Sequence, residues 1–227
     1  MIWSQQRFAK ARQLFLPVLK KALPLLLPAS LLIWGIEYAV STVHKMRFAS
    51  PYDTSTAMIL GSGIAAFLGN IILSVVWIVV STWATIGALL PKETKPLFSD
   101  FHQTLIEHTR RLLSTLLWSL VFVIPGFFRW LRLFFTAHVA LLNPEYAKGH
   151  VDALKRSSDI VRGSGLALGF LLLIQGGISF GLESLGAEVW PAFFPLGILF
   201  YAISWCVSLY CAIYLTLTYK FLDKQHQ

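Results

Sequence analysis

The chain has 227 residues, of which 56% are hydrophobic, 14% aromatic and 13% charged. With a mean hydropathy of +0.65, it carries only about half the charge expected of a water-soluble domain, roughly 25%. Its apolar residues come in blocks rather than stripes, which selects lipid as the solvent and an all-α, polytopic membrane helical bundle as the fold class. The net charge of +8 does not imply a nucleic-acid partner. No basic stretch is interleaved with stacking aromatics, and cations near apolar runs serve orientation and contact with anionic headgroups.

Residues 4–21 place Phe8, Leu14, Phe15, Val18 and Leu19 on one helical face and cations on the other. That pattern predicts an amphipathic interfacial helix over 1–21. A six-helix membrane domain over 22–220 follows, then a polar tail, 221–227. The expected transmembrane segments are Ala22–Val43, Ala57–Leu90, Leu112–Ile124, Phe127–Leu142, Leu166–Leu182 and Ala192–Leu217, judged against the 20 or so apolar residues that cross a ~30 Å hydrocarbon core. The first run is too long for a signal peptide and lacks a small-x-small cleavage site, so it is expected to stay attached. Amphipathic helices are expected in two connections, 96–111 and 145–163. In the first, Ser99 is a cap candidate and Phe101, Leu105 and Leu112 form the apolar stripe. In the second, Val151, Leu154 and Val161 form the stripe, with Asp152–Arg156 and Lys155–Asp159 as i,i+4 pairs and Gly163 as a stop.

If all six segments cross, fifteen of the 19 Lys and Arg residues fall on the side of the N-terminus. Lys45, Arg47, Arg129 and Arg132 fall on the other. The positive-inside rule then gives a bacterial cytoplasmic (inner) membrane protein with both termini cytoplasmic. Segments 112–124 and 127–142 are short, however, and a re-entrant hairpin dipping from the cytoplasmic side leaves the parity of the other loops unchanged.

Arg129 and Arg132 lie within apolar surroundings, where an unpaired charge costs at least ~2.5–3.5 kcal/mol. Arg129 is close enough to Pro125-Gly126 to snorkel. Arg132 is deeper, at about the depth of Glu37, so an Arg132–Glu37 intramembrane charge pair is expected. The alternative is that Arg129 and Arg132 contact an anion such as a lipid phosphate. Asn70, His138 and Gln175 are the other deep polar residues, for which interhelical hydrogen bonding is expected. Gly165, Gly169, Gly177 and Gly181 form a small-residue row for close helix packing. Cys206 and Cys211 are five apart on one helix and read as packing residues. No metal ligand set, catalytic motif or cofactor site is found. "GSGIAAFLG" at 61–69 contains GxGxxA but lies within an apolar run with no preceding strand.

"IPGFFRWLRLFF", followed some twenty residues later by "DALKRSSDIVRG" and a Gly-containing apolar span, resembles the membrane domain associated with bacterial glycerophosphoryl diester phosphodiesterases and its stand-alone relatives. In that family a Pro-Gly pair opens a helix with an Arg seven residues after the Pro, matched here by Pro125, Gly126 and Arg132. An acidic-Ala-Leu-basic-basic-Ser helix follows and ends in a basic-Gly pair, matched by Asp152, Ala153, Leu154, Lys155, Arg156, Ser157, Arg162 and Gly163. Asn143-Pro144 ahead of Glu145 departs from the family pattern, and the catalytic barrel is absent. The resemblance therefore implies architecture and no chemistry.

The resulting expectation is a non-catalytic assembly or accessory subunit. Its platform, with Asp152, Lys155, Arg156, Asp159 and Arg162, faces membrane lipids together with a protein partner or a second copy. A small lipid or solute transporter with a midplane cavity at Asn70, His138 and Gln175 is the alternative. An intramembrane enzyme using His138 is a third reading.

Overall fold

A computed structural model describes residues 4–49, 56–90, 101–189 and 193–225. Nine helices make up its regular structure among the described residues, with no strand: α1 Gln5–Ala49, α2 Thr56–Leu89, α3 Phe101–Val121, α4 Val123–Arg132, α5 Thr136–Leu142, α6 Pro144–Ala147, α7 Ala153–Val161, α8 Gly165–Val189 and α9 Phe194–Gln225. Among the described residues three stretches are long and apolar enough to cross a membrane: Ile71–Leu89, Gly165–Gly186 and Leu196–Gln225.

The expected break between an interfacial helix and a first span is not present. α1 runs unbroken for 45 residues through Pro17, Pro24 and Pro28. The expected apolar face of 4–21 does turn inward, but it packs on protein. Phe8 stacks on Tyr214 at 4.3 Å between ring centroids, and Tyr210 donates from its hydroxyl to the Phe8 carbonyl at 3.1 Å. Ala11, Val18, Ala22 and Leu26 are fully buried along the same side. The segment from residue 221, expected as a polar tail, is helical over its described residues. α9 continues to Gln225, Phe221 lies 4.5 Å beneath the Arg7 guanidinium, and Leu222 and Asp223 are buried.

The fifth candidate span falls within α8, and the second and, over its described residues, the sixth largely coincide with α2 and α9. The third and fourth are not among these three stretches, and they form a helical hairpin followed by a break. α3 ends at Val121, and Phe122 alone is extended (φ −156°, ψ 139°) before α4 starts. The chain therefore reverses before Pro125-Gly126, which sits in the first turn of α4, where proline's missing N–H costs no internal bond. Gly126 lets the two arms touch: a Cβ there would collide with the Ser119 hydroxyl and lie 2.8 Å from Ser119 Cα. α4 has only 10 residues, ~15 Å or half a hydrocarbon core. Leu133–Phe135 then break the helix before α5. At the tip Leu120, Val123 and Ile124 are 83%, 78% and 71% exposed, an apolar point with none of the described residues packed over it.

The core lies at the other end of this hairpin. Phe135 and Val139 of the α5 region, Ala153, Ile160 and Val161 of α7, and Leu209, Ile213 and Tyr214 of α9 close it together with α1 and α2. Trp77 meets Trp205 edge to face at 4.9 Å, fixing α2 on α9.

Candidate functional site: a charged cavity beside a buried polar cluster

α7 organises the region in which most of the sequence-selected charges fall. Asp152 is its N-cap, accepting from the Leu154 and Lys155 backbone N–H groups at 2.8 and 3.1 Å, which satisfies donors that a helix start leaves unpaired. Its second carboxylate oxygen takes Arg110 at 3.2 Å, so the middle of α3 is tied to α7. The anticipated Asp152–Arg156 pair does not form. A capping residue stands outside the helix, and Arg156 turns to α9, where its Nε and Nη2 donate to Asp223 Oδ1 at 3.0 and 2.7 Å. Nor does an ion pair join Lys155 to Asp159 among the described residues. Both side chains are exposed, where such a pair is worth only a few tenths of a kcal/mol.

Ser157, fully buried, clamps the break that ends the hairpin. Its Oγ accepts from the Phe135 N–H at 3.1 Å and donates to the Arg132 carbonyl at 2.9 Å. Gly163 ends α7 with φ +82°, a conformation that favours glycine.

These contacts bring Arg132 beside α7. The Arg132 side chain is exposed and lines a cavity of about 500 Å³ with Ser158, Asp159 and Arg162, flanked by Phe128 and Leu166. One site residue of the hairpin and two of the platform thus share a single space, which the depth estimate from sequence had separated. Glu37's side chain lies outside the described residues, so the Arg132–Glu37 pairing falls there too. Arg129 reaches back along the hairpin, its Nε donating to Ser114 Oγ at 3.1 Å, and does not line the cavity.

Residues that sequence reasoning passed over lie on the inward face of α3. Thr104, Glu107, His108 and Arg111 are all buried, while Ile106 and Leu113 are 44% and 56% exposed. The helix is amphipathic with its polar side in. The i, i+3, i+4, i+7 spacing of these polar residues was the available signal, masked by reading Phe101, Leu105 and Leu112 as the inward stripe. Glu107 takes Arg110 at 2.6 Å and the Tyr146 hydroxyl at 3.1 Å. Burial and the adjacent Glu107 carboxylate push that hydroxyl up to about 12, so it remains a donor. Arg111 donates to the Phe134 carbonyl at 3.3 Å, and burial lowers its pKa to about 10, which leaves it charged at neutral pH. Ser74 Oγ lies 2.8 Å from the Ile71 carbonyl and 3.0 Å from His108 Nε2, and joins α2 to α3. His108 Nδ1, Arg111 Nε and Glu107 Oε2 are buried with no hydrogen-bond partner among the described residues.

The remaining selected residues are dispersed. His138 is buried on α5 between the Phe135 and Tyr219 rings, at 5.4 and 5.8 Å. Its Nδ1 has no partner among the described residues. Gln175 meets Ser208 across α8 and α9 at 3.5 Å, and the Asn70 side chain lies outside the described residues. Gly169 lets Leu131 approach, at 3.1 Å from where a Cβ would stand; Gly165 meets only Val161 of the preceding turn, and Gly177 and Gly181 face open space. The close approach of α8 to α9 occurs instead at Gly186, beside Tyr201, Phe200 and Gly197. Both cysteines are free.

The departure at Asn143-Pro144 has a local role: Asn143 caps α6 through the Glu145 N–H at 2.9 Å, with Pro144 in the first turn. No family model, curated protein or solved structure matches the chain, and the likeness carried by the Pro-Gly-Arg and Asp-Ala-Leu-Lys-Arg-Ser segments rests on those residues alone.

Proposed function

We propose that the chain is a non-catalytic integral membrane protein of a bacterial cytoplasmic membrane, with both termini cytoplasmic. It serves as an assembly or accessory subunit whose α7 face is offered to lipid headgroups or a partner. In this reading α1, α2, α8 and α9 cross the bilayer and α3–α4 dips in and returns. Arg129 and Arg132 then join the cytoplasmic cations, and only Lys45 and Arg47 remain outside, which strengthens the positive-inside bias. The observation that carries the reading is the way α7 is held. Asp152 and Arg156 are spent on α3 and α9, which fixes the helix and leaves Lys155, Asp159 and Arg162 exposed on its outer side.

The test is impermeant thiol labelling of single cysteines at Val123, Lys155 and Gln225 in a C206S/C211S background, combined with carbonate extraction. Labelling of Lys155 and Gln225 only after the cytoplasmic face is opened, with Val123 unlabelled from either side, is the expected result. Outer-face labelling at Val123 would show a full crossing by α3, and release by carbonate would end the membrane reading. A transporter is the second reading, favoured by the buried, partnerless polar atoms of His108, Arg111 and His138. It requires that they line a hydrated path, which hydroxyl-radical footprinting would detect.

A further inference from the structure

We propose that the cavity between the end of α4, α7 and the start of α8 binds one phospholipid headgroup: a phosphodiester whose alcohol carries a hydrogen-bond donor, glycerol or ethanolamine. The inference rests on the membrane placement proposed above.

Charge is the first argument. Arg132 and Arg162 bring two positive charges to one cavity and Asp159 one negative charge. Among the described residues none of the three is in an ion pair, although all line the same space. Such a group has a net positive charge that a singly charged phosphodiester neutralises, and guanidinium forks match phosphate oxygens in geometry. Asp159 and the Ser158 hydroxyl add acceptors beside the two arginines. A bare phosphate dianion would be repelled by the carboxylate, and a trimethylammonium alcohol has no N–H to offer it. A hydroxyl or primary ammonium satisfies it.

Position is the second argument. The cavity's apolar flank is Phe128 and Leu166, 47% and 76% exposed, where the apolar run of α8 begins. A headgroup seated between the arginines can therefore lay its acyl chains along these residues, an arrangement with no use for a soluble metabolite. The structure also explains the opening: Ser157 holds the Arg132 carbonyl, and Gly163 and Gly165 contribute no side chain to the space.

The experiment is native mass spectrometry of the purified full chain, equilibrated in detergent with an equimolar mixture of phosphatidylglycerol, phosphatidylethanolamine and phosphatidylcholine of identical acyl chains. Glycerophosphoglycerol without acyl chains is the soluble arm. Wild type is expected to retain phosphatidylglycerol or phosphatidylethanolamine at least about tenfold over phosphatidylcholine, the worth of one good charge-assisted contact. R132Q/R162Q should lose that retention and R132K/R162K recover part of it, while D159N should still bind lipid but no longer reject phosphatidylcholine. Equal retention of all three lipids by wild type, or unchanged binding by R132Q/R162Q, would overturn the site. Binding of the soluble headgroup as tightly as the lipid would overturn the lipid assignment. Because R132Q/R162Q is also tested by carbonate extraction, a failed site is distinguishable from a failed membrane placement.

Discussion

Replacing Ser157 by alanine removes one oxygen and leaves the Cβ in place, so the change acts on hydrogen bonding almost alone. The hydroxyl is fully buried and serves two backbone groups at once, the Phe135 N–H at 3.1 Å and the Arg132 carbonyl at 2.9 Å. Loss of a partner for a buried backbone group costs about 1–3 kcal/mol, so two such groups, the carbonyl with a second lone pair and some freedom to relax, place S157A about 2–4 kcal/mol below wild type. Denaturant unfolding in a fixed lipid-free micelle, followed by tryptophan fluorescence, measures the difference. Ser158→Ala, one residue away and facing the cavity, is the control and should stay within about 0.5 kcal/mol. Hydrogen exchange gives an independent readout: the Phe135 amide should exchange faster in S157A while amides in α9 do not. An S157A protein as stable as the control, with an unchanged Phe135 amide, would refute the clamp and with it the reason that α4 stops where it does.

Arg156 and Asp223 form a largely buried pair, so R156Q or D223N alone should each cost about 2–4 kcal/mol, and the double variant distinctly less than their sum; strict additivity would argue against the pair. Gly126→Ala must push the hairpin arms apart and should cost about 1–3 kcal/mol, seen as a lower unfolding midpoint in the same micelle. His108 predicts a pH dependence. Burial, then the nearby Arg111 charge, lowers its pKa to about 4 from 6.5, so between those values the unfolded chain binds the extra proton and stability falls as the pH falls. The loss reaches about 2 kcal/mol by pH 5, levels off below pH 4, and should be absent from H108N.

The apolar blocks made the helical class and the starts of α2, α8 and α9 legible to within two residues, because a long run of lipid-compatible residues has few other uses; α8 and α9 run on to Val189 and Gln225, beyond the expected ends at Leu182 and Leu217. The hairpin was harder to read. Segments 112–124 and 127–142 look like two short spans by composition, and their separation into a half-length hairpin plus α5 depends on a bond from Ser157, 22 residues downstream of Phe135, that no local pattern encodes. Arg132's depth was counted along a continuous helix, whereas α4 ends at Arg132 itself. Asp152 was assigned a helical neighbour when its better use was capping, a competition between two local roles that Asp often resolves toward the cap. The inward polar face of α3 was written in the sequence with regular spacing, but apolar residues inside is an aqueous habit, and next to lipid the preference inverts.

The clasp between Phe8 and Tyr214, with Arg7 over Phe221, joins parts of the chain separated by some two hundred positions. A ribosome adding residues one at a time delivers the first half of that clasp long before the second exists. Through nearly all of synthesis, the side of α1 bearing Ala11 and Val18 has no α9 to cover it, so a nascent chain interrupted ahead of residue 209 would present that strip uncovered.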